Sequence, residues 1–154
     1  MKLLLTVFSV LLLSTGFGQR KEDLTKNNAS PERKAILNAL KEALHPDLNL
    51  TPKLVVKKLV TKGGFAYFIG RVKNEKGGDI DFRKTAYKEA VKERVFDGDG
   101  TNALLRKTGN KWKVLTFVIG PTDVPWGCWW KEFKAPKDIF DYTEKNCDYA
   151  ERNK

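Results

Sequence analysis

The residues that could do chemistry are few, and the densest group lies between positions 122 and 133. Asp123 precedes Trp126, Trp129 and Trp130, so a carboxylate stands close to a cluster of indoles. A carboxyl group beside apolar rings is a candidate for a shifted pKa and for acid–base work. The same position suits the capping of a helix, which is the interpretation that we favour.

Other routes to catalysis lack a partner residue. Nucleophilic catalysis by Cys128 would need a base, and His45, the only histidine, follows the end of a predicted helix. His, Cys and carboxylate residues do not recur at metal-ligand spacing. The segment from Asp97 to Gly100 resembles the start of a calcium loop but lacks the remaining ligands. We therefore predict no catalytic residue, no metal and no cofactor.

The first eighteen residues have the pattern of a cleavable secretory signal. Lys2 is followed by an apolar run over 3–13 and by the small residues Gly16 and Gly18. A membrane anchor would need about 20 apolar residues, so this run is too short. We expect cleavage after Gly18, no membrane span in the remaining chain, and a periplasmic or extracellular location.

The expected location outside the cytoplasm determines how the two cysteines are interpreted. In an oxidising compartment, Cys128 and Cys147 predict a disulfide. The bridge would tie the mixed-charge tail over 138–154 to the tryptophan segment, and the chain-entropy estimate gives it about 3 kcal/mol of stabilisation.

The charge of the chain is strongly basic. Its 29 basic and 19 acidic residues give a formal net charge of +10, to which the signal contributes Lys2 alone. Such a balance favours anionic partners, here an acidic protein or an anionic envelope glycan. Nucleic acid is excluded as a partner because the chain is expected to be exported and shows no nucleic-acid-binding motif.

The elements that must position these residues alternate between helical and strand patterns. A helix is predicted to start at Ser30-Pro31 and to stop at His45-Pro46-Asp47, since Ser caps helices and Pro suits their first turn. Two hairpins are predicted around Gly63-Gly64 and Gly109-Asn110. The predicted segments are strands over 54–61, 65–73, 101–107 and 111–119, a short helix over 85–96, and a helix carrying Trp126, Trp129, Trp130 and Phe133 on one stripe.

The turns also predict how the strands pair and which side chains share a face. Val60 should lie opposite Tyr67, Leu104 opposite Leu115, and Leu105 opposite Val114. One face of the first hairpin should then carry Val55, Leu59, Ala66, Phe68 and Val72, and the other Val56, Val60, Tyr67 and Ile69; in the second hairpin Leu104, Leu115, Phe117 and Ile119 should oppose Leu105, Trp112, Val114 and Val118. Because both faces are apolar, something must cover the second face, and the tryptophan helix is the candidate.

The domain organisation follows from these elements. We predict a signal peptide over 1–18, a flexible lead-in over 19–29 and a single domain over 30–154. The fold class is α+β, with an N-terminal helix packed on a mostly antiparallel, curved four-stranded sheet, a short helix between the hairpins, and a C-terminal Trp-rich helix.

Two stretches carry a resemblance to known proteins. Ala103-Leu104-Leu105-Arg106 through Trp112, and the segment from Ile119 to Trp126 with its Gly-Pro-Thr-Asp-Val sequence, resemble an uncharacterised family of small exported bacterial proteins over residues 31–140. The helix-then-sheet order is similar to cystatin-like and NTF2-like α+β folds, which implies a curved sheet with a groove. The resemblance implies no activity.

Three functions remain open from the sequence. The first is a non-enzymatic, cationic binding module, with Asp123, Trp126, Trp129, Trp130 and Tyr67 as candidate ligand-binding residues. The alternative is an NTF2-like pocket protein or small enzyme acting on a small molecule, whose cavity Asp123, Tyr67 or Tyr87 would line. The third is a homodimer, in which a second copy covers the second face of the sheet.

Overall fold

A computed structural model describes residues 20–145 and Cys147, so the expected signal over 1–18 lies outside the described residues. The fold class is α+β, as predicted. The elements are β1 (Glu22–Asp23), α1 (Pro31–Leu48), β2 (Lys53–Lys62), β3 (Phe65–Lys73), α2 (Lys88–Lys92), β4 (Gly100–Thr108), β5 (Lys111–Ile119) and α3 (Trp129–Glu132), with 3-10 turns at Phe82–Lys84, Pro125–Cys128 and Lys137–Ile139.

Within the described part of the chain the sheet has five antiparallel strands in the order β1-β2-β3-β4-β5, which corrects the prediction of four. The additional strand, β1, comes from the segment that was expected to be a flexible lead-in, and it pairs Asp23 with Val60. Next to it, Leu24 is fully buried, and its N–H donates to the carbonyl of Leu59 at 2.8 Å. Burial of this one leucine explains why so polar a segment joins the sheet.

Helix α1 begins at the predicted Ser30 cap but runs further than predicted. It continues through Pro46 to Leu48 and ends at Asn49, whose φ is 56° and whose N–H donates to the carbonyl of His45 at 2.9 Å. The prediction that His45-Pro46-Asp47 stops the helix is therefore wrong. A proline in the last turn removes one hydrogen bond, whereas the extra turn buries Leu48 in the core.

The predicted pairings are largely correct near the turns and fail beyond two β-bulges. Leu59 pairs with Phe68, Val60 with Tyr67 and Leu105 with Val114, as expected. Lys57 and Leu115 are each an extra residue in their strand, so Leu104 pairs with Thr116 and not with Leu115. An extra residue reverses which face the side chains beyond it occupy. For this reason, five residues lie on the face of the sheet opposite to the one predicted: Val55, Val56, Phe117, Val118 and Ile119.

The first face of the sheet packs against α1. The helix contributes Ile36, Leu40, Leu44 and Leu48, all buried, to a core cluster with the sheet residues Leu59, Ala66, Phe68, Val72, Ala103, Leu105, Trp112 and Ile119. The predicted helix over 85–96 is reduced to the five residues of α2, and the rings of Phe82, Tyr87 and Phe96 pack together beside it, with centroids 4.6–6.2 Å apart.

The second face is covered by the tryptophan segment, as predicted, although not by a continuous helix. The 3-10 turn at Pro125–Cys128 leads into the four-residue α3, and Lys134 then takes a φ of 54°. The segment forms a second core cluster with the sheet, made of Val60, Phe65, Tyr67, Leu104, Trp129, Ala135, Ile139 and Phe140. The predicted disulfide joins Cys128 to Cys147, with Cα atoms 5.3 Å apart.

Candidate anion-binding surface

The structure brings four of the five predicted ligand-binding residues together. Tyr67, Trp126, Trp129 and Trp130 all belong to the second core cluster or pack against it. Asp123 does not join them, because it is exposed and its carboxylate accepts a hydrogen bond from the adjacent N–H of Val124 at 2.7 Å. It caps no helix, since the 3-10 turn at Pro125 has no side-chain cap. The capping interpretation of Asp123 is therefore wrong.

Tyr67 holds the C-terminal segment to the sheet. Its side chain is fully buried, its hydroxyl donates to the Asp141 carboxylate at 3.1 Å, and the Asn102 side-chain amide donates to that hydroxyl at 2.9 Å. Burial, and then the negative charge of Asp141, raise the pKa of the phenol above its usual value. The Phe140 ring lies 4.6 Å from the Tyr67 ring. Tyr67 therefore joins the C-terminal segment to the sheet, and its side chain is not accessible to a ligand.

The tryptophans serve packing more than contact with solvent. Trp129 is 5% exposed, and Trp126 and Trp130 are half-buried. The indole nitrogens of Trp126 and Trp130 are buried and have no hydrogen-bond partner among the described residues. The Lys137 ammonium lies 4.6 Å from the Trp130 ring centroid, so a cation occupies one ring face that could otherwise stack on a ligand.

One cleft on the described part of the chain is not lined by the residues expected in a pocket. It measures about 560 Å³ and lies beside the β2–β3 turn, with a lining of Arg20, Lys21, Glu22, Asp23, Glu32, Thr61, Lys62, Gly63, Gly64, Lys107 and Trp112. Asp123, Tyr67 and Tyr87 are absent from that lining, and the Tyr87 hydroxyl donates to Asp47 at 3.1 Å. Within the cleft, Lys62 pairs with Asp138 at 2.9 Å and Lys107 with Glu32 at 2.8 Å. In the described residues, no group of His, Cys and carboxylates could hold a metal ion.

Cations lie over three rings that belong to the second cluster or pack against it. Arg106 lies 5.3 Å from the Phe65 ring centroid, and Lys58 lies 5.9 Å from that of Tyr67. Together with Lys137 on Trp130, these are three such pairs on the second face of the sheet, among the described residues. A cation over an aromatic face is held by the ring quadrupole and keeps its full charge. The second face of the sheet and its covering segment therefore carry these positive charges.

Two pairs of like charges face each other across the sheet, and the first pair is neutralised. Lys53 lies directly opposite Lys73. The Lys73 ammonium is 2.6 Å from carboxylate oxygens of both Asp79 and Asp99. The hydrogen bonds to these carboxylates raise the pKa of Lys73, and the hydrogen bond from Lys73 lowers the pKa of Asp79. The repulsion across this pair is thus offset inside the fold.

The second pair, Arg106 opposite Lys113, has no such neutralisation. Both side chains are exposed, and none of the ion pairs found among the described residues includes either. Like charges directly opposite in a sheet are destabilising. An anion bound from outside would offset that repulsion, which makes this pair the centre of the candidate site.

One further lysine extends the pair into a surface. Lys111 is exposed and, two residues before Lys113, lies on the same face of β5. We name this surface the basic edge: Arg106, Lys111 and Lys113. The centre of this surface could have been predicted from the sequence, because the register that pairs Leu105 with Val114 also places Arg106 opposite Lys113.

No family model matches the chain, and no curated protein or solved structure is significantly similar to it. The resemblance to small exported bacterial proteins thus stays a prediction. Among the described residues, no helix is both long enough and apolar enough to cross a bilayer.

Proposed function

We propose that this chain is an exported, non-enzymatic binding module that engages an anionic partner, an acidic protein or an envelope polymer, through the basic edge. The observation that carries the proposal is the pair Arg106 and Lys113, two exposed cations set directly opposite each other without a carboxylate partner among the described residues. Its contrast with the neutralised pair Lys53 and Lys73 indicates that the fold can supply carboxylates where charge serves stability alone.

A ring contact at Arg106 favours binding because it orders this side chain before a partner arrives. The Arg106 guanidinium lies over the Phe65 ring. A side chain that is already ordered loses less conformational entropy when an anion binds to it. A guanidinium also offers two parallel donors to a carboxylate or a phosphate. Long-range attraction by the net positive charge of the chain would add to the rate of association.

Export is supported by two independent features. The pattern over 1–18 is that of a secretory signal, and the Cys128–Cys147 disulfide suits an oxidising compartment. Mass measurement of the protein released by the native host tests this part of the proposal. A chain that begins at Gln19 is the expected result, and an intact chain retained in the cytoplasm contradicts it.

Binding is tested with two anionic polymers of different chemistry, poly-L-glutamate and dextran sulfate, by titration calorimetry at low and at physiological salt. The double substitution Arg106→Gln and Lys113→Gln should weaken binding of at least one polymer by about tenfold. Affinity should also fall as salt rises, because exposed charges are screened.

A matched control removes the same charge elsewhere. Lys34 on α1 and Lys76 in the β3–α2 connection are exposed, so Lys34→Gln with Lys76→Gln lowers the net charge equally without touching the basic edge. This variant should keep the affinity of the original chain within about twofold. Equal losses in the two double variants would mean that binding depends on net charge alone and would contradict the proposed surface.

A further inference from the structure

We propose that the partner is an acidic polypeptide that binds in an extended conformation and adds to β5 as a further strand of the sheet. This inference rests on the proposed function and names its partner class. Addition of a strand to an open sheet edge gives affinity through main-chain hydrogen bonds and specificity through alternate side chains.

The edge that would accept the strand is open. Among the described residues, β5 pairs with β4 on one side, and no strand pairs with its other side. The strand is nine residues long. An edge strand presents unpaired N–H and C=O groups along its outer side. The regular stretch over 111–114 precedes the bulge at Leu115, so we place the pairing on that stretch.

The opposite border of the sheet is less suited to an acidic segment. The strand β1 pairs with Val60 and Thr61 of β2 and leaves the first half of β2 uncovered by a strand. That half contains the bulge at Lys57 and the exposed apolar Val55. Its cross-strand neighbour Lys73 is already paired with carboxylates. Charge complementarity therefore points to β5.

The alternation of β5 defines the sequence that it would recognise. Lys111 and Lys113 lie on the second face, whereas Trp112 and Val114 belong to the core on the first face. Side chains directly opposite on neighbouring strands lie on the same face and interact. A matching segment would place acidic residues opposite the lysines and apolar residues opposite Trp112 and Val114. Acidic and apolar residues should therefore alternate.

A second copy of the chain is a poorer occupant of the same edge. Pairing of β5 with β5 would bring Lys111 and Lys113 of one copy to the edge that already carries the same lysines in the other. Like charges on neighbouring strands oppose such pairing, and lysines on edge strands commonly serve to prevent self-association.

The test uses a synthetic peptide in which glutamate and valine alternate, and it compares two N-methylated forms. In a strand, successive N–H groups point to opposite sides, so N-methylation of every second residue blocks one side only. One methylated form should lose affinity by at least about tenfold, and the other should bind within about twofold of the parent. The three peptides carry the same charge, so electrostatics alone cannot separate them.

A second readout locates the binding. Amides on the outer side of β5 should gain protection from hydrogen exchange when the parent peptide is bound, and amides of β2 should not. A scrambled peptide of the same composition, with its glutamates contiguous, should bind more weakly than the alternating one.

The outcomes separate this inference from the function on which it rests. If both methylated peptides bind as well as the parent, charge alone drives binding; the strand addition is overturned and the proposed function stands. If dextran sulfate binds and no peptide does, the acidic polypeptide is likewise overturned. If neither polymer nor peptide binds, both proposals fail. Sedimentation that shows β5-dependent self-association would assign the edge to a second copy and overturn the inference.

Discussion

The two faces of the sheet are covered by segments of opposite kinds. On the first face, α1 is an 18-residue helix whose backbone hydrogen bonds lie mostly within the helix and whose apolar stripe is buried. On the second face, the chain from Pro125 to Phe140 consists of two 3-10 turns and the four-residue α3. Short turns make few internal hydrogen bonds, so this second layer depends on what fastens it to the sheet.

The fastenings of the second layer are identifiable. The hydrogen bond from Tyr67 to Asp141 and the ion pair of Lys62 with Asp138 fasten it to the sheet. The Cys128–Cys147 disulfide joins two parts of the covering chain to each other. Three cations rest on rings at this face: Lys58 and Arg106 come from the strands, and Lys137 comes from the covering segment. The first face is therefore covered by a helix with its own backbone hydrogen bonds, whereas the covering of the second face is held by side-chain contacts and lies beside the charged surface.

The largest effect that we expect comes from the core beneath α1. Leu40→Ala removes a fully buried side chain between the helix and the sheet and should cost about 3–5 kcal/mol in the free energy of unfolding. Ile139→Ala, at a residue that is also fully buried but lies on the second face, should cost less, because the second layer can open locally. Urea unfolding followed by circular dichroism measures both. An equal or larger cost at Ile139 would contradict the ranking of the two faces.

Loss of the disulfide should be the next largest effect. Cys128→Ser with Cys147→Ser opens a loop with a sequence separation of 19 residues and should cost about 3 kcal/mol on the chain-entropy estimate. Tryptophan fluorescence should report the change before far-ultraviolet circular dichroism does, since three of the four tryptophans lie in the second layer. Coincident transitions, or the same thermal midpoint for the reduced and oxidised proteins, would contradict this prediction.

The sequence predicts the elements better than it predicts their faces. The turns at Gly63-Gly64 and Gly109-Asn110, the Ser30 cap and the tryptophan covering follow from local chemistry that a single sequence displays. The bulges at Lys57 and Leu115 do not, because an extra residue in a strand has no composition signal of its own. Gly70 is a partial clue to the first bulge, since a Cβ there would collide with the Val55 carbonyl and the Phe68 ring.

The sequence does not predict the candidate site, for a related reason. Residue types alone point to aromatic and acidic side chains such as Asp123 and Tyr67, which the structure places in solvent and in the core, respectively. The basic edge becomes visible only when residues are read in pairs across the β4–β5 ladder. Whether a cation has a carboxylate partner depends on contacts between distant segments, such as Lys73 with Asp99, and a linear pattern does not encode them.

Two tyrosines provide a matched test of the faces. Tyr67→Phe removes a buried hydroxyl that joins Asn102 to Asp141 and should cost about 1.5 kcal/mol, because the Asn102 amide is left without its acceptor. Tyr87→Phe removes the half-buried hydroxyl that donates to Asp47 on the helix side and should cost about 0.5 kcal/mol. Thermal unfolding of both variants measures the difference. A larger loss of stability in Tyr87→Phe than in Tyr67→Phe would show that the Tyr67 hydroxyl stabilises the fold less than its burial suggests.

Alkaline pH should weaken the fold through the same two residues. Burial raises the pKa of Tyr67, and burial with the nearby Asp47 raises that of Tyr87, above the ordinary value of 10.0. Above pH 10 the unfolded chain therefore releases these protons while the folded chain retains them, so stability is complete below about pH 10 and declines as pH rises. Tyr67 should account for about 1 kcal/mol over the first pH unit. Tyrosinate absorbance during the titration checks this, and an unchanged pH dependence in Tyr67→Phe would contradict it.

The smallest effect separates the two like-charged pairs. Arg106→Gln with Lys113→Gln removes a repulsion that no carboxylate among the described residues offsets, so the thermal midpoint should rise by about 1 °C while binding of the anionic polymers weakens. Lys53→Gln in the neutralised pair should not raise the midpoint, because Asp79 and Asp99 already balance Lys73. Differential scanning calorimetry of both variants resolves changes of this size. A gain in stability together with a loss of binding would mean that Arg106 and Lys113 destabilise the fold and are needed for binding. A loss of stability in the same variant would mean that the two residues stabilise the sheet. The contrast between the two like-charged pairs would then no longer indicate a binding surface.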